Sequence, residues 1–253
     1  MTRPGDDRPG DGGDGMYGGE SAKIYYAQHT ARGKDYRAEA EAVAEQIRLR
    51  LPGASSVLDV ACGTGGHLGP FTELIGYAEG IDLSKPMLEI ARRELPAELP
   101  LHVGDMRDFD LGRTFDSLTC LFASIGYVGS VEELRASLLC FARHVRPGGV
   151  VVVEPWWFPD TFVDRWVSGD IVRWEGDTIS RVSHTVREGD TSRMEVHYLR
   201  ASPDTGVRHL TEVHRAMLFT REQYETAFSL AGLRPEYVPG TPSGRGLFVG
   251  VRT

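Results

Sequence analysis

The amino-acid sequence predicts a doubly wound α/β fold carrying a small antiparallel β insertion. Three observations carry that expectation. Apolar runs that read as buried strands alternate with helical stretches through about residue 155, as a parallel sheet covered on both faces requires. A glycine-rich turn, LDVACGTGGHLGP at 58–70, joins the first of these runs to a helix. From about Arg173 to Phe219 the pattern then changes to a period of two, the mark of an antiparallel meander.

Taken in order, MTRPGDDRPGDGGDG has almost nothing to bury, so residues 1–15 are expected to be a disordered tail, with order beginning near Met16 or Tyr17. Tyr36, Ala40, Val43, Ile47 and Leu51 recur every three or four positions and predict an amphipathic helix over 35–51. SSVLDVA reads as a buried strand, and GGHLGPFTELIG as the helix after it. YAEGIDL is a second strand, and Ser84 with Pro86 signals the next helix start. LPLHVGD is a third strand and FDSLTCLFAS a fourth, followed by a helix that Ser130 and Glu133 open as a capping box. GGVVVVEPW is a fifth, strongly apolar strand. EGD at 188–190 and PDTG at 203–206 supply turns in the meander. Thr220 and Gln223 form a second capping box, and two short strands end the chain. The expected division is an α/β domain over 16–155 plus 219–253, with the insertion over 156–218.

Composition narrows the function. A chain of 253 residues with a net charge of -8 lacks the basic face that nucleic acid demands. No apolar run is long enough to span a bilayer and no signal core opens the chain, which predicts a cytoplasmic protein without membrane contact. Cys62, Cys120 and Cys140 sit in apolar segments and are expected to be buried thiols. His184, His197, His209 and His214 fall on the meander without zinc-type spacing, as cross-strand or pocket-lining residues, so no metal is expected.

The glycine turn is not a P-loop, because no Gly-Lys-Ser/Thr follows it. It is a poor dinucleotide fingerprint as well, since Leu68 and Pro70 flank Gly69 where close helix–strand packing is needed. Asp59 decides between the remaining ligands. A carboxylate beside the turn repels a pyrophosphate and welcomes a cation. A ribose, an adenine and a positive charge without a phosphate describe S-adenosylmethionine. Asp82, ending the second strand, is placed to accept ribose hydroxyls. Asp105, after the third, is placed to accept from an adenine amino group while Met106 offers its backbone amide.

With these residues in place, the chain resembles the class I S-adenosylmethionine-dependent methyltransferases, whose fold is a Rossmann-like sandwich. Within them it resembles the N,N-dimethyltransferases of nucleotide-linked amino sugars of the desosamine and mycaminose type. The resemblance spans about Tyr17 to Val251 and rests on RGKDY, LDVACGTG, HVGDMRDFDLGR, VVVEPWWFP, RVSHTVREG and PSGRGLFVG. It implies that Tyr25, Asp59, Ala61, Gly63, Gly65, Asp82, Leu83, Met87, Asp105, Met106 and Phe122 hold S-adenosylmethionine. It implies that Tyr17 and Tyr127 stand at the amine as catalytic residues, although relatives place either tyrosine or histidine at the second position. Glu154, Trp156, Trp157, Ser243 and Arg245 are expected to bind a dTDP-linked deoxyamino sugar, Arg245 gripping the diphosphate with its forked donors. The insertion is expected to form the acceptor site and a homodimer contact. The reaction implied is methylation of the sugar nitrogen, twice, governed by alignment rather than by a strong base. A methyltransferase of the same fold acting on a free amine or hydroxyl is the alternative, which the Arg245 motif disfavours.

Overall fold

The computed structural model describes residues 18–253; the expected tail and Tyr17 lie outside the described residues. Five parallel strands, β1 (Ser56–Val60), β2 (Tyr77–Asp82), β3 (Leu101–Val103), β4 (Phe115–Cys120) and β5 (Val145–Val153), form the centre of the main sheet. An antiparallel hairpin of β10 (Leu233–Val238) and β11 (Leu247–Arg252) completes it, in the order β10-β11-β5-β4-β1-β2-β3. β1 thus lies between β4 and β2, the point at which strand order reverses and an open α/β sheet leaves a crevice.

The sheet has a core on each face. Leu58, Val60, Leu118, Val151 and Val153 pack with Phe141 of α5 (Val131–His144) and Phe228 of α6 (Arg221–Leu230). Val57, Val150 and Val152 pack on the opposite face with Val43 and Ile47 of α2 (Tyr36–Arg50), Phe71 of α3 (Leu68–Leu74) and Leu88 of α4 (Lys85–Glu94). Val150 to Val153 are fully buried, each burial contributing about 1.5–3 kcal/mol. Helices α4, α5 and α6 begin at the caps expected from the sequence, and α2 begins one residue after its expected start, with Asp35 as its cap. Asp35 and Ser84 accept from Ala38 N and Met87 N, and Thr220 and Gln223 bond reciprocally. At α5 the box is altered: Ser130 accepts from Glu133 N, but the Glu133 carboxylate reaches Gly129 N at 2.7 Å instead of Ser130 N.

The meander is one strand longer than its sequence suggests. It comprises β6 (Trp166–Trp174), β7 (Asp177–Glu188), β8 (Thr191–Ser202) and β9 (Gly206–Met217), paired in that order. β6 escapes a period-two reading because Val167 and Ile171 face outward, while Ser168 and Asp170 alternate with them on the more covered face. The fourth central strand stops at Cys120, short of FDSLTCLFAS, because Phe122 and Ala123 take left-handed φ values of 54° and 59°. Helix α1 (Gly19–Ala31) has no amphipathic signal since it is buried on two sides. Ala22 packs against Met87 and Ile90 of α4, whereas Ile24 and Ala27 pack against Val172, Ile179 and Val196 of the antiparallel sheet. Cys62, Cys120 and Cys140 are buried free thiols. No helix among the described residues is long and apolar enough to cross a membrane.

Candidate active site

A cavity of about 740 Å³ opens at the carboxyl ends of β1 to β4 and is lined on its far side by α1 and the antiparallel sheet. The glycine turn after β1 contributes Ala61 and Gly63, β2 contributes Asp82, and the start of α4 contributes Met87. Leu83, Asp105, Met106 and Phe122 complete this half. Ala61, Phe122 and Ala123 are three of the five non-glycine residues with positive φ among those described, so backbone strain concentrates at this crevice.

Asp59 is 1% exposed; its Oδ1 accepts from the Thr119 hydroxyl at 2.7 Å and its Oδ2 has no partner. Burial pushes this carboxyl up to about 6. An orphaned, buried carboxylate oxygen on a cavity residue fits the ammonium of S-adenosylmethionine, which would satisfy it and restore its charge. Asp82 is partly engaged by the protein: Oδ2 accepts from Gly63 N at 2.8 Å and Oδ1 from Ser84 N at 2.7 Å. These bonds fix the turn to β2 and leave lone pairs for hydroxyl donors. Asp105 departs from the expected open acceptor, because Arg107 donates to both its oxygens at 2.9 and 2.6 Å and holds it below the usual carboxylate range.

Tyr25, Gln28 and His29 of α1 line the cavity together with Tyr36. Burial, followed by the charges of Arg32 and Lys34, drives His29 down to about 4 and keeps it neutral. Burial pushes the Tyr36 hydroxyl up to about 12. Gln28 is 3% exposed, and its Nε2 is a donor without a partner.

The opposite half is formed by Tyr127 and Trp156 with Arg181, Met194, Tyr198, Glu212 and His214 of β7 to β9, and by Arg245. Trp156 Nε1 donates to Ser192 Oγ at 2.9 Å. Arg245 donates from Nη2 to Glu154 at 2.6 Å, and its Nε is buried without a partner. Its guanidinium also lies 5.7 and 5.8 Å from the rings of Trp156 and Trp157.

Of the residues expected at the site, four do not line this cavity. Gly65 packs into the protein, where a Cβ would meet Leu95 at 2.5 Å. Glu154 is 5% exposed and turned to Arg245 and the Phe122 amide, Trp157 lies beyond Trp156, and Ser243 bonds within its own loop. The sequence reading missed Gln28 and His29, which no helical period or motif marks, Tyr36, which it read only as a core-facing position of a helix, and Arg181, Tyr198 and Glu212. Alternation along β7 to β9 groups the last three on one face, but only the packing of α1 against that face shows that it borders a cavity. His214 had pocket lining as one of its two readings, and it does line the cavity; His184, His197 and His209 do not.

Residues 57–149 match the methyltransferase domain family. Over 236 residues the chain is 56% identical to the dTDP-3-amino-3,4,6-trideoxy-alpha-D-glucopyranose N,N-dimethyltransferase of Streptomyces venezuelae, covering 93% of this chain and 99% of that one. It is 51% identical to the dTDP-4-amino-2,3,4,6-tetradeoxy-D-glucose N,N-dimethyltransferase of Saccharopolyspora spinosa, covering 94% of each. The solved structure of S-adenosylmethionine-bound CalS10, an amino pentose methyltransferase from Micromonospora echinaspora, superposes with a TM-score of 0.83 at 47% identity, covering 91% of this chain and 97% of that one. The chain belongs to the class I S-adenosylmethionine-dependent methyltransferases, within the family of the dTDP-amino-sugar N,N-dimethyltransferases, and is an N-methyltransferase that uses S-adenosylmethionine.

Proposed function

We propose that the protein methylates the amino nitrogen of a dTDP-linked deoxyamino sugar, twice, in the biosynthesis of an antibiotic. The observation that carries this reading is the joining of two chemistries in one cavity. An orphaned carboxylate oxygen at Asp59 suits a cationic amino acid moiety, and Arg181 and Arg245, which line the same cavity, suit a diphosphate. Cofactor contacts are assigned to Tyr25, Asp59, Ala61, Gly63, Asp82, Leu83, Met87, Asp105, Met106 and Phe122. Acceptor contacts are assigned to Trp156 and Arg245, with Glu154 orienting Arg245.

When bound, S-adenosylmethionine supplies a methyl group made electrophilic by its sulfonium. The protein's part is placement. Asp59 fixes the amino acid end and Asp82 the ribose, while Tyr127 orients the acceptor nitrogen with its lone pair directed at the methyl. Tyr17 is proposed to act beside it. The aromatic faces of Tyr25 and Trp156 favour the positive charge that forms on nitrogen.

We extend the reading to a cytoplasmic homodimer. Three unpaired cysteines suit a reducing compartment. Val167, Ile171, Val182, Leu199 and Val207 are half or more exposed on one face of the antiparallel sheet, which supports self-association there. Sedimentation of the pure protein tests that contact. Mass spectrometry of reactions with dTDP-linked 2-, 3- and 4-amino sugars tests the activity. One or two added methyl groups on a sugar nucleotide are expected, and methylation only of amines lacking the nucleotide would replace this reading with the free-amine alternative.

A further inference from the structure

Tyr127, His214 and Glu212 form a continuous hydrogen-bonded chain on the cavity wall. The Tyr127 hydroxyl lies 3.1 Å from His214 Nδ1, and His214 Nε2 lies 3.0 Å from Glu212 Oε2. The other Glu212 oxygen accepts from the Ser21 hydroxyl of α1. His214 and Glu212 stand two residues apart on β9, so they share a face, and both are largely buried. The carboxylate can only accept, which puts the imidazole proton on Nε2. Nδ1 is then an acceptor, and Tyr127 donates to it.

We propose that this chain is a proton relay which strips the acceptor nitrogen before each methyl transfer, with His214 and Glu212 acting through Tyr127. The proposal rests on the N,N-dimethylation reading above. Each transfer forms an N–C bond from the nitrogen lone pair as the C–S pair returns to sulfur, leaving a cationic nitrogen. After the first transfer that nitrogen still carries N–H bonds, and no lone pair is available for the second until one proton departs. The proton passes to Tyr127 Oη as the Tyr127 hydroxyl proton passes to His214 Nδ1. Charge is conserved: the nitrogen becomes neutral, Tyr127 is restored, and His214 becomes an imidazolium beside the Glu212 carboxylate. Solvent takes the imidazolium proton when the cavity opens to release the thioether product.

The groups facing the relay are consistent with this traffic. Burial pushes Glu212 upward, but hydrogen bonds from His214 and Ser21 and the charges of His214 and Arg181 outweigh it, so the carboxyl stays below its usual range. Among the described residues, Arg181 of β7 and Tyr198 of β8 face Glu212 and Tyr25 of α1 faces Tyr127, and none of the three is an anion at neutral pH.

The test compares wild type, His214→Gln and Glu212→Gln on dTDP-linked amino and monomethylamino sugars from about pH 6 to about pH 10. His214→Gln is expected to lower kcat roughly tenfold to a hundredfold near neutrality, with monomethylated product accumulating. Its rate is expected to recover towards the alkaline end, where the free amine forms without help. Glu212→Gln keeps the size and an acceptor while losing the charge, and should show a smaller loss with the same recovery. Unchanged cofactor affinity and melting temperature establish that each variant is folded. An equal fractional loss at every pH in the folded variants, or a wild-type profile in both, overturns the relay. Absence of wild-type turnover on every dTDP-linked amino sugar instead overturns the functional reading, and the relay with it.

Discussion

Glu154 holds Arg245 at 2.6 Å through Oε1, and through Oε2 it holds the backbone amide of Phe122 at 2.6 Å. One buried carboxylate therefore ties the C-terminal loop to the strained turn after β4. Under the proposed assignment, this acid joins an acceptor residue, Arg245, to a cofactor residue, Phe122. Arg245→Lys keeps a charge for Glu154 but loses the fork and the unpartnered Nε. It is expected to raise KM for the sugar nucleotide about tenfold, with S-adenosylmethionine affinity within about twofold of wild type. Glu154→Gln, which weakens both attachments, should change both constants. Steady-state kinetics with each ligand varied, together with calorimetry, separates the two patterns; equal sugar-nucleotide KM in Arg245→Lys and wild type would remove Arg245 from the acceptor site.

Asp59 presents a conflict between stability and binding. Its carboxyl titrates near 6 in the folded protein against an ordinary 3.8, so the fold favours the protonated form. Folding then loses stability as pH rises from about 4 to about 6, and the loss is complete above that, on the order of 2–3 kcal/mol. Asp59→Asn is expected to raise the melting temperature of the ligand-free protein at pH near 7.5 while abolishing tight S-adenosylmethionine binding. Wild-type affinity should weaken as pH falls below about 6, since binding requires the carboxylate. Calorimetry and thermal melts across pH check both halves. Equal cofactor affinity in the variant would refute the ammonium assignment.

The glycine turn holds one open position and one packed position. Gly63 has φ +56° and a Cβ there would meet no protein atom, whereas Gly65 has φ +80° and a Cβ would strike Leu95 at 2.5 Å. Gly63→Ala should lose about 1–2 kcal/mol of stability to left-handed strain and bind the cofactor poorly, because its methyl enters the cavity wall. Gly65→Ala carries the same strain plus a core overlap of about 1–3 kcal/mol, and should lower the melting temperature more. Melting curves beside cofactor titrations test the ordering, which a reversal in stability would contradict.

The central sheet was legible because both of its faces are buried by amphipathic helices, so strands such as GVVVV read as continuous apolar runs and helices such as 36–50 carry a helical period. Asp59, Asp82 and Asp105 were picked out from their places at or just past the carboxyl ends of successive strands, and all three line the cavity. Helix α1 was not legible, since burial between α4 and the antiparallel sheet spreads its apolar residues around the axis. β6 was hidden by an outward-facing Val167 and Ile171. The Glu154–Arg245 pairing joins residues 91 positions apart, and the Tyr127–His214 pairing residues 87 apart. Nothing in local spacing encodes such contacts, because they arise only when β5 meets the C-terminal loop and β9 meets the turn after β4.

Tyr127→Phe is expected to slow turnover near neutral pH by roughly tenfold to a hundredfold without abolishing it, a barrier increase of about 1.4–2.7 kcal/mol. Alignment of nitrogen, methyl and sulfur survives the loss of one hydroxyl, and any amine that is already neutral still reacts. In the proposed relay, however, the hydroxyl, 3.1 Å from His214 Nδ1, is the link between the nitrogen and His214. Losing the link or losing the imidazole therefore severs one path, and the two losses cannot add. The double variant Tyr127→Phe with His214→Gln should be no slower than the slower single variant, to within about threefold. Single-turnover kinetics on pre-bound dTDP-linked amino sugar isolates the chemical step for all four proteins. Multiplicative losses would assign the two side chains independent roles, and complete inactivity of Tyr127→Phe with both ligands bound would make Tyr127 an indispensable base in its own right.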